Sequence, residues 1–352
     1  MRGSEIRTNA LTISIFFHRS SNGVQPPWGR GFASVGRAQY EAIVENLAGR
    51  KIAVTGATGF LGRYVVTALQ KRGAIPIGVV RNPDRVPELH AAGVELRRAD
   101  LGDLAALEKS FEGCDAIASV AAMISIGSMY SLRKEQRAAY IQTNVGGIER
   151  VMNAAAACGI RRVVHVSSAN VYRDRTPPVR EDSPLHHLDE GGLLTNNYSI
   201  SKAAAEDRAR QLATEQDLDL TILRPTGIYG ANDLNFMRWV RLLLRPPITL
   251  WPAGTHLQLV HGADVAEALL LCLEKDHSIG EAYNVCGGAE SLWDFARAWK
   301  LAGGPRARVL IPIPVPLPPL LENQKILEDL GWQPRDTVVC LRETFAETED
   351  PK

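Results

Sequence analysis

No stretch of this chain approaches the ~18 consecutive apolar residues that a membrane-spanning helix needs, so no membrane span is expected. Cysteine is scarce. The five residues Cys114, Cys158, Cys272, Cys286 and Cys340 lie far apart and contain no Cys-x-x-Cys pair. That pattern excludes a disulfide framework or a structural zinc site and points to small buried thiols in a reducing compartment. Charge of one sign is lacking too: 40 Lys and Arg against 39 Asp and Glu leave a formal charge of +1. Such a balance creates no field for gathering nucleic acid or anionic lipid. A secretory leader is poorly matched, because the run Leu11–Phe17 (LTISIFF) contains Thr and Ser and leads into His18 and Arg19 without a small-residue cleavage site. The expected location is cytoplasmic. No internal repeat is found.

What is present is ordinary for a globular protein: 45% apolar and 22% charged residues. Such a length buries a substantial core, as one large α/β unit or two unequal lobes. Residues 1–49 differ from the rest. They mix Arg, Ser and Gly with Pro26 and Pro27, and read as a disordered extension or a translation start placed too early. A targeting arm and a segment that packs on a partner subunit stay open as alternatives.

From Lys51 the pattern alternates. Strands are expected over 51–56, 75–80, 94–98, 115–121, 162–167 and 220–224, helices over 60–72, 103–111, 134–158 and 198–216, and a short helical piece around 85–92. Continuous apolar strands separated by helices imply a parallel sheet covered on both faces, a doubly wound α/β fold. Residues 50–230 form this domain. Residues 231–345 are expected to be mainly a smaller α+β substrate lobe, with elements returning to the core. Helices are expected there over 235–244, 264–274, 292–301 and 322–330, and a strand over 281–286. The run VLIPIPVPLPPLL (309–321) cannot be a helix or a central strand, since alternate prolines remove donors. It is expected to be an extended arm on an apolar surface.

The segment VTGATGFLG (54–62) ends a strand and opens a helix. Gly56 suits the tight turn, Gly59 a close backbone approach to a pyrophosphate, and Gly62 close packing of the helix on the strand. Thr58, Phe60 and Leu61 belong to the same loop. After the second strand, Arg81 stands where an acid commonly receives the ribose hydroxyls of NAD, and a guanidinium suits the 2′-phosphate of NADP. An exposed Arg with dual cofactor use is the alternative. Asp100 and Leu101 fit an adenine contact; Asp100 fits a helix cap equally well.

Tyr198 and Lys202 stand four apart on one helix and so share a face. A lysine charge there lowers the tyrosine pKa, as a general acid/base requires, and the same lysine suits the nicotinamide ribose. Ser167 and Ser168 end the fifth strand, on the crevice where such sheets bind ligands.

Together these motifs resemble the extended short-chain dehydrogenase/reductase family, also called the NAD-dependent epimerase/dehydratase family. The likeness runs from about Lys51 into the C-terminal region and includes LRPTGIYG (223–230), LVHGADVAEA (259–268), YNVCGG (283–288) and ILEDLGWQPR (326–335). The resemblance implies Tyr198 as acid/base, Lys202 as its tuner and Ser168 as the anchor of the substrate oxygen. Ser168 is preferred to Ser167 because it precedes Tyr172 by four. The family likeness also places Ala121 and Ala122 beside the cofactor and Pro225 to Ile228 along the nicotinamide. It implies a small-molecule substrate and, by analogy, a homodimer.

Two departures from the family narrow the reaction. Dehydratases carry Thr-Asp-Glu after the fifth strand, where this chain has Ser168-Ala169-Asn170. Nucleotide-sugar epimerases often carry an Arg four residues before the His of the VHV-like motif; counting back from His261 gives Leu257, with Arg238 or Arg241 as possible substitutes. The VRNP turn and SSA strand end resemble dihydroflavonol reductases and 3β-hydroxysteroid dehydrogenases. The expectation is hydride transfer between NADP(H) and a carbonyl or alcohol carbon of a medium-sized, rather apolar substrate. A sugar epimerase using NAD is the alternative, and a cofactor sensor without turnover a remote one. His186-His187 reads as a solvated loop, Asn144 as an orderer of neighbouring strands, Trp239 and Trp251 as core or substrate-side residues, and Asp264 as a helix cap.

Overall fold

The computed structural model describes residues 47–124, 133–174, 176–189, 196–233, 237, 240, 248–253, 256–304, 309–314 and 320–347. Arg238, Trp239, Arg241 and the segment before residue 47 lie outside the described residues, as does the side chain of Trp251.

The strands in chain order are β1 (Lys51–Thr55), β2 (Ile75–Val80), β3 (Glu95–Arg98), β4 (Ala116–Ser119), β5 (Arg162–Val166) and β6 (Asp219–Pro225). Then come β7 (Gly227–Tyr229), β8 (Ile248–Ala253), β9 (His256–Leu257), β10 (Leu259–His261), β11 (Ala282–Val285), β12 (Glu290–Ser291) and β13 (Val309–Pro314). The longer helices are α1 (Phe60–Lys71), α2 (Pro87–Ala91), α3 (Leu104–Phe111), α4 (Lys134–Ala157), α5 (Asn197–Glu215), α6 (Gly262–Glu274), α7 (Leu292–Leu301), α8 (Gln324–Leu330) and α9 (Thr337–Glu347).

Seven strands form one parallel sheet in the order β11-β6-β5-β4-β1-β2-β3. Successive strand residues point to opposite faces, and both faces are apolar. Ile52, Val54 and Val164 meet α1 and α6 through Val65, Leu69 and Leu269. Ala53, Ile77 and Val163 meet α3, α4 and α5 through Leu107, Met152 and Ala205. Burying each large aliphatic side chain is worth about 1.5–3 kcal/mol, so two dry faces hold the sheet without edge hydrogen bonds being decisive. The strand order reverses between β1 and β4. Ligands bind at such a switch point, outside the carboxyl ends of the strands.

Beyond β6 the chain forms two-stranded pieces: β7 with β10, β9 with β12, and β8 with β13. Of the proline-rich arm, residues 309–314 are extended as expected and form a strand paired parallel to β8, while residues 315–319 lie outside the described residues. A two-stranded ribbon has no central strand, so proline is tolerated there. One helix was absent from the expectations: α9, whose Cys340 and Leu341 pack with Phe295 and Trp299 of α7.

Candidate active site

The turn after β1 is shaped by backbone geometry. Gly56 has φ +70°, and a Cβ there would lie 2.9 Å from the Ala121 Cα. A Cβ on Gly62 would lie 2.1 Å from the Gly56 carbonyl oxygen, so only glycine lets α1 start this close to the turn. Gly59 is the N-cap of α1 and supplies no side-chain acceptor. The first amides of that helix therefore face the crevice, where an anion is favoured.

A cavity of about 800 Å³ runs from this turn across the ends of β2 and β3 to β5 and α5. It is lined by Gly56, Thr58, Gly59, Phe60, Leu61 and Gly62, by Arg81, Asp100, Leu101, Ala121 and Ala122, and by Ser168, Tyr198, Pro225 and Ile228. Sequence reasoning selected all of these. Thr226, within the expected stretch Pro225 to Ile228, lines it too, and so do Thr55 and Asn170, which were not singled out. Thr55 explains its own place: its Oγ1 accepts from the amides of Val120 (3.1 Å) and Ala121 (3.3 Å), fixing the floor between β1 and β4.

The residues present fit a dinucleotide. The glycine turn leaves a cradle that any Cβ would fill, and two residues that line the cavity, Ser167 and Thr226, have buried hydroxyls with no protein partner. Buried polar groups are normally hydrogen-bonded, so two such orphans mark a place for a polar ligand.

At the far end, Asn196 Oδ1 caps α5 by accepting from the amides of Tyr198 (2.9 Å) and Ser199 (3.3 Å). That cap fixes the helix start, and so the Tyr198 side chain, in the cavity wall. Burial raises the Tyr198 pKa above its ordinary value, and a hydrogen bond with Ser168 opposes the rise. The lysine departs from expectation. Lys202 is 1% exposed and lies behind the wall. Its Nζ donates to the Val166 carbonyl (2.8 Å) and sits 3.3 Å from His165 Nε2. With Nζ turned toward β5, the opposing influence on Tyr198 is Ser168 and not Lys202. Burial pushes Lys202 down to about 8, against the charge of Glu206 one turn on.

Two other residues change role. Asp100 Oδ1 accepts from Gly102 N (2.8 Å), while the cap of α3 is Asp103, which accepts from Ala106 N (3.0 Å). Asp264 does not cap α6. His261 does, through Nδ1 and Ala263 N at 3.3 Å, because the buried Asp264 is paired with Arg335. Asn144 is clamped: its Oδ1 accepts from Met123 N (2.8 Å) and its Nδ2 donates to Ser201 Oγ (2.9 Å), joining α4 to α5 and to the chain after β4. Among the described residues no group of three His, Cys, Asp or Glu is placed to hold a metal, and no helix is long and apolar enough to cross a membrane.

This fold and site define a doubly wound α/β protein of the dinucleotide-binding kind, with Ser168 and Tyr198 in the wall of the switch-point crevice and Lys202 buried behind it. The chain belongs to the NAD dependent epimerase/dehydratase family, whose profile matches residues 52–286. Cinnamoyl-CoA reductase 1 of Arabidopsis thaliana is 33% identical over 53% of this chain and 55% of that protein, so the chain spans about half of that relative's length. The 3 beta-hydroxysteroid dehydrogenase/Delta 5-->4-isomerase of Mycobacterium tuberculosis is 30% identical over 73% of this chain and 70% of that protein. Among solved structures, UDP-N-acetylglucosamine 4-epimerase from Bacillus cereus superposes with a TM-score of 0.69 at 22% identity, covering 84% of this chain and 98% of that one, which shows the shared fold.

Proposed function

We propose that this chain is an NAD(P)-dependent oxidoreductase working as an NADP(H)-dependent reductase, on a carbonyl carbon of a medium-sized, rather apolar substrate. One observation carries the reading: Tyr198 and Ser168 stand together in the wall of the dinucleotide cavity that begins at the glycine turn. Arg81 supports NADP. It is exposed at the end of β2 and lines the cavity where a ribose-binding acid would oppose a 2′-phosphate. The apolar wall residues Met123 and Ile124, the latter 54% exposed, and the names of the two relatives support an apolar substrate.

When bound, the cofactor supplies the hydride from its nicotinamide ring. Ser168 Oγ donates a hydrogen bond to the substrate carbonyl oxygen and sets it beside the Tyr198 hydroxyl. Tyr198 then gives its proton to that oxygen. Burial suits this role, since a hydroxyl with a raised pKa stays protonated until the oxygen becomes basic. Lys202 holds positive charge behind the pair.

The test is a panel of aryl, cinnamoyl and steroid ketones with NADPH, followed by loss of the reduced-cofactor absorbance. Turnover that falls by about 10²–10⁴-fold in Tyr198→Phe is expected. Interconversion of a nucleotide sugar with no net cofactor consumption contradicts the reading and favours an epimerase.

A further inference from the structure

The alternation of β5 predicts an aliphatic side chain at position 165, between the buried Val164 and Val166, yet the residue is histidine and is 2% exposed. A buried imidazole is costly unless both nitrogens are engaged. They are. His165 Nδ1 lies 3.2 Å from Ser119 Oγ, and Ser119 is its register partner on β4. His165 Nε2 lies 3.3 Å from Lys202 Nζ, which also donates to the Val166 carbonyl at 2.8 Å.

The donor inventory fixes the direction of each bond. An ammonium only donates, so Nε2 is the acceptor, and the ring proton sits on Nδ1 and points to Ser119. Burial, and Lys202 next, hold His165 well below the ordinary histidine pKa, so the ring stays neutral and keeps that lone pair. Two of the three ammonium protons are then fixed against β5, which leaves the third free to turn toward the crevice.

We propose that His165 is a positioning residue of the acid/base centre, whose Nε2 lone pair holds Lys202 in place and keeps it charged. The catalytic consequence rests on the reductase reading above; the coupling between the two residues does not. The other titratable or charged groups around Lys202 are Glu206 and Tyr198 on its own helix, with Arg224 of β6 paired to Glu206 and Tyr140 of α4 packed on Tyr198. Glu206 shares its charge with Arg224 through a 2.7 Å bond, and Lys202 is held by the Val166 carbonyl and by His165, of which only His165 offers a side-chain acceptor.

A hydrogen bond to the charged form favours that form. Removing the acceptor therefore lowers the lysine pKa and frees Nζ from its place against β5. The test uses the full chain with lysine labelled at Cε and followed by carbon NMR through a pH titration, with Lys202→Met to assign the signal. Lys202 is expected to titrate near 8 in the unaltered protein. In His165→Leu the midpoint should fall by about one unit, a tenfold change in the protonation equilibrium, while His165→Gln, which keeps an acceptor, should stay within about 0.3 units. Ser119→Ala, which frees the ring, should move it the same way by a smaller amount and serves if His165→Leu does not fold.

Equal midpoints in the unaltered protein and His165→Leu, or equal shifts in the Leu and Gln variants, overturn the proposal and leave His165 as packing. An NMR shift in a protein that oxidises no alcohol leaves the coupling standing and removes the reductase reading instead.

Discussion

Buried histidines carry a pH signature at the scale of single residues. Burial, and Arg335 next, push His261 down to about 4. In an unfolded chain the same imidazole takes its proton near the ordinary value of about 6.5. The fold refuses that proton, so stability is full above 6.5 and declines as pH falls from there toward 4. His165 adds to the same limb, with the same sign. Each such group contributes up to about 1.4 kcal/mol per pH unit inside the window. The urea midpoint is expected to fall between pH 7 and pH 5, and less so in His261→Gln; identical pH profiles for the two proteins would contradict this. Spacing made many site residues legible in the sequence. Gly56, Gly59, Gly62, Tyr198 and Ser168 all sit where an ordered motif puts them, and all line one cavity. His165 was not legible, because a histidine inside an apolar strand gives no sign of which neighbour its ring will meet. Nor was the inward turn of Lys202, which depends on a carbonyl of β5.

The start of α1 shows how one element depends on one missing methyl group. Its buried face, Leu61, Val65, Val66 and Leu69, follows helical spacing and packs on the sheet. The same approach brings the Gly62 Cα against the carbonyl of Gly56. Gly62→Ala therefore has to push the helix off the turn. A cost of about 1–3 kcal/mol is expected, typical of overpacking a dense site, together with weakened NADPH binding by titration. Unchanged stability and affinity would show that the cradle is looser than its geometry. Elements of the first half were readable because parallel strands and their covering helices leave long apolar runs. α9 was not. Its apolar positions Val338, Cys340, Leu341 and Phe345 follow helical spacing but sit among polar residues near the chain end, and their partner Trp299 is remote in sequence. The pairing of β13 with β8 was hidden likewise, since prolines give no register signal.

Across the whole molecule, a buried ionic knot ties the site to the sheet. Arg224 of β6 donates to Glu206 of α5 at 2.7 and 3.0 Å, to Tyr172 Oη at 2.9 Å and to the Glu181 carbonyl at 2.8 Å. Tyr172 in turn donates to Asn284 of β11 at 2.6 Å. Glu206 stands one turn beyond Lys202, and Arg224 directly precedes the cavity residue Pro225, so the knot couples helix, central sheet and edge strand. Removing one partner of a buried pair strands the other charge, at a cost of about 3–5 kcal/mol. Glu206→Ala is expected to lose that much stability in a denaturant melt; a loss below about 1 kcal/mol, the scale of an exposed pair, would mean water reaches the knot. The motifs LRPTGIYG and YNVCGG marked Arg224 and Asn284 in the sequence without revealing that Tyr172 and Glu206 tie them together.

The most direct test is a fluorescence titration of the purified full chain with NADPH and NADH, alongside Arg81→Ala and Tyr198→Phe. A guanidinium on a phosphate is worth about 1.5–3 kcal/mol, so NADPH should bind on the order of tenfold or more tighter than NADH. That preference should vanish in Arg81→Ala and persist in Tyr198→Phe. Tightly held NAD that copurifies and ignores Arg81, or binding of neither cofactor, would contradict an NADP(H)-dependent reductase.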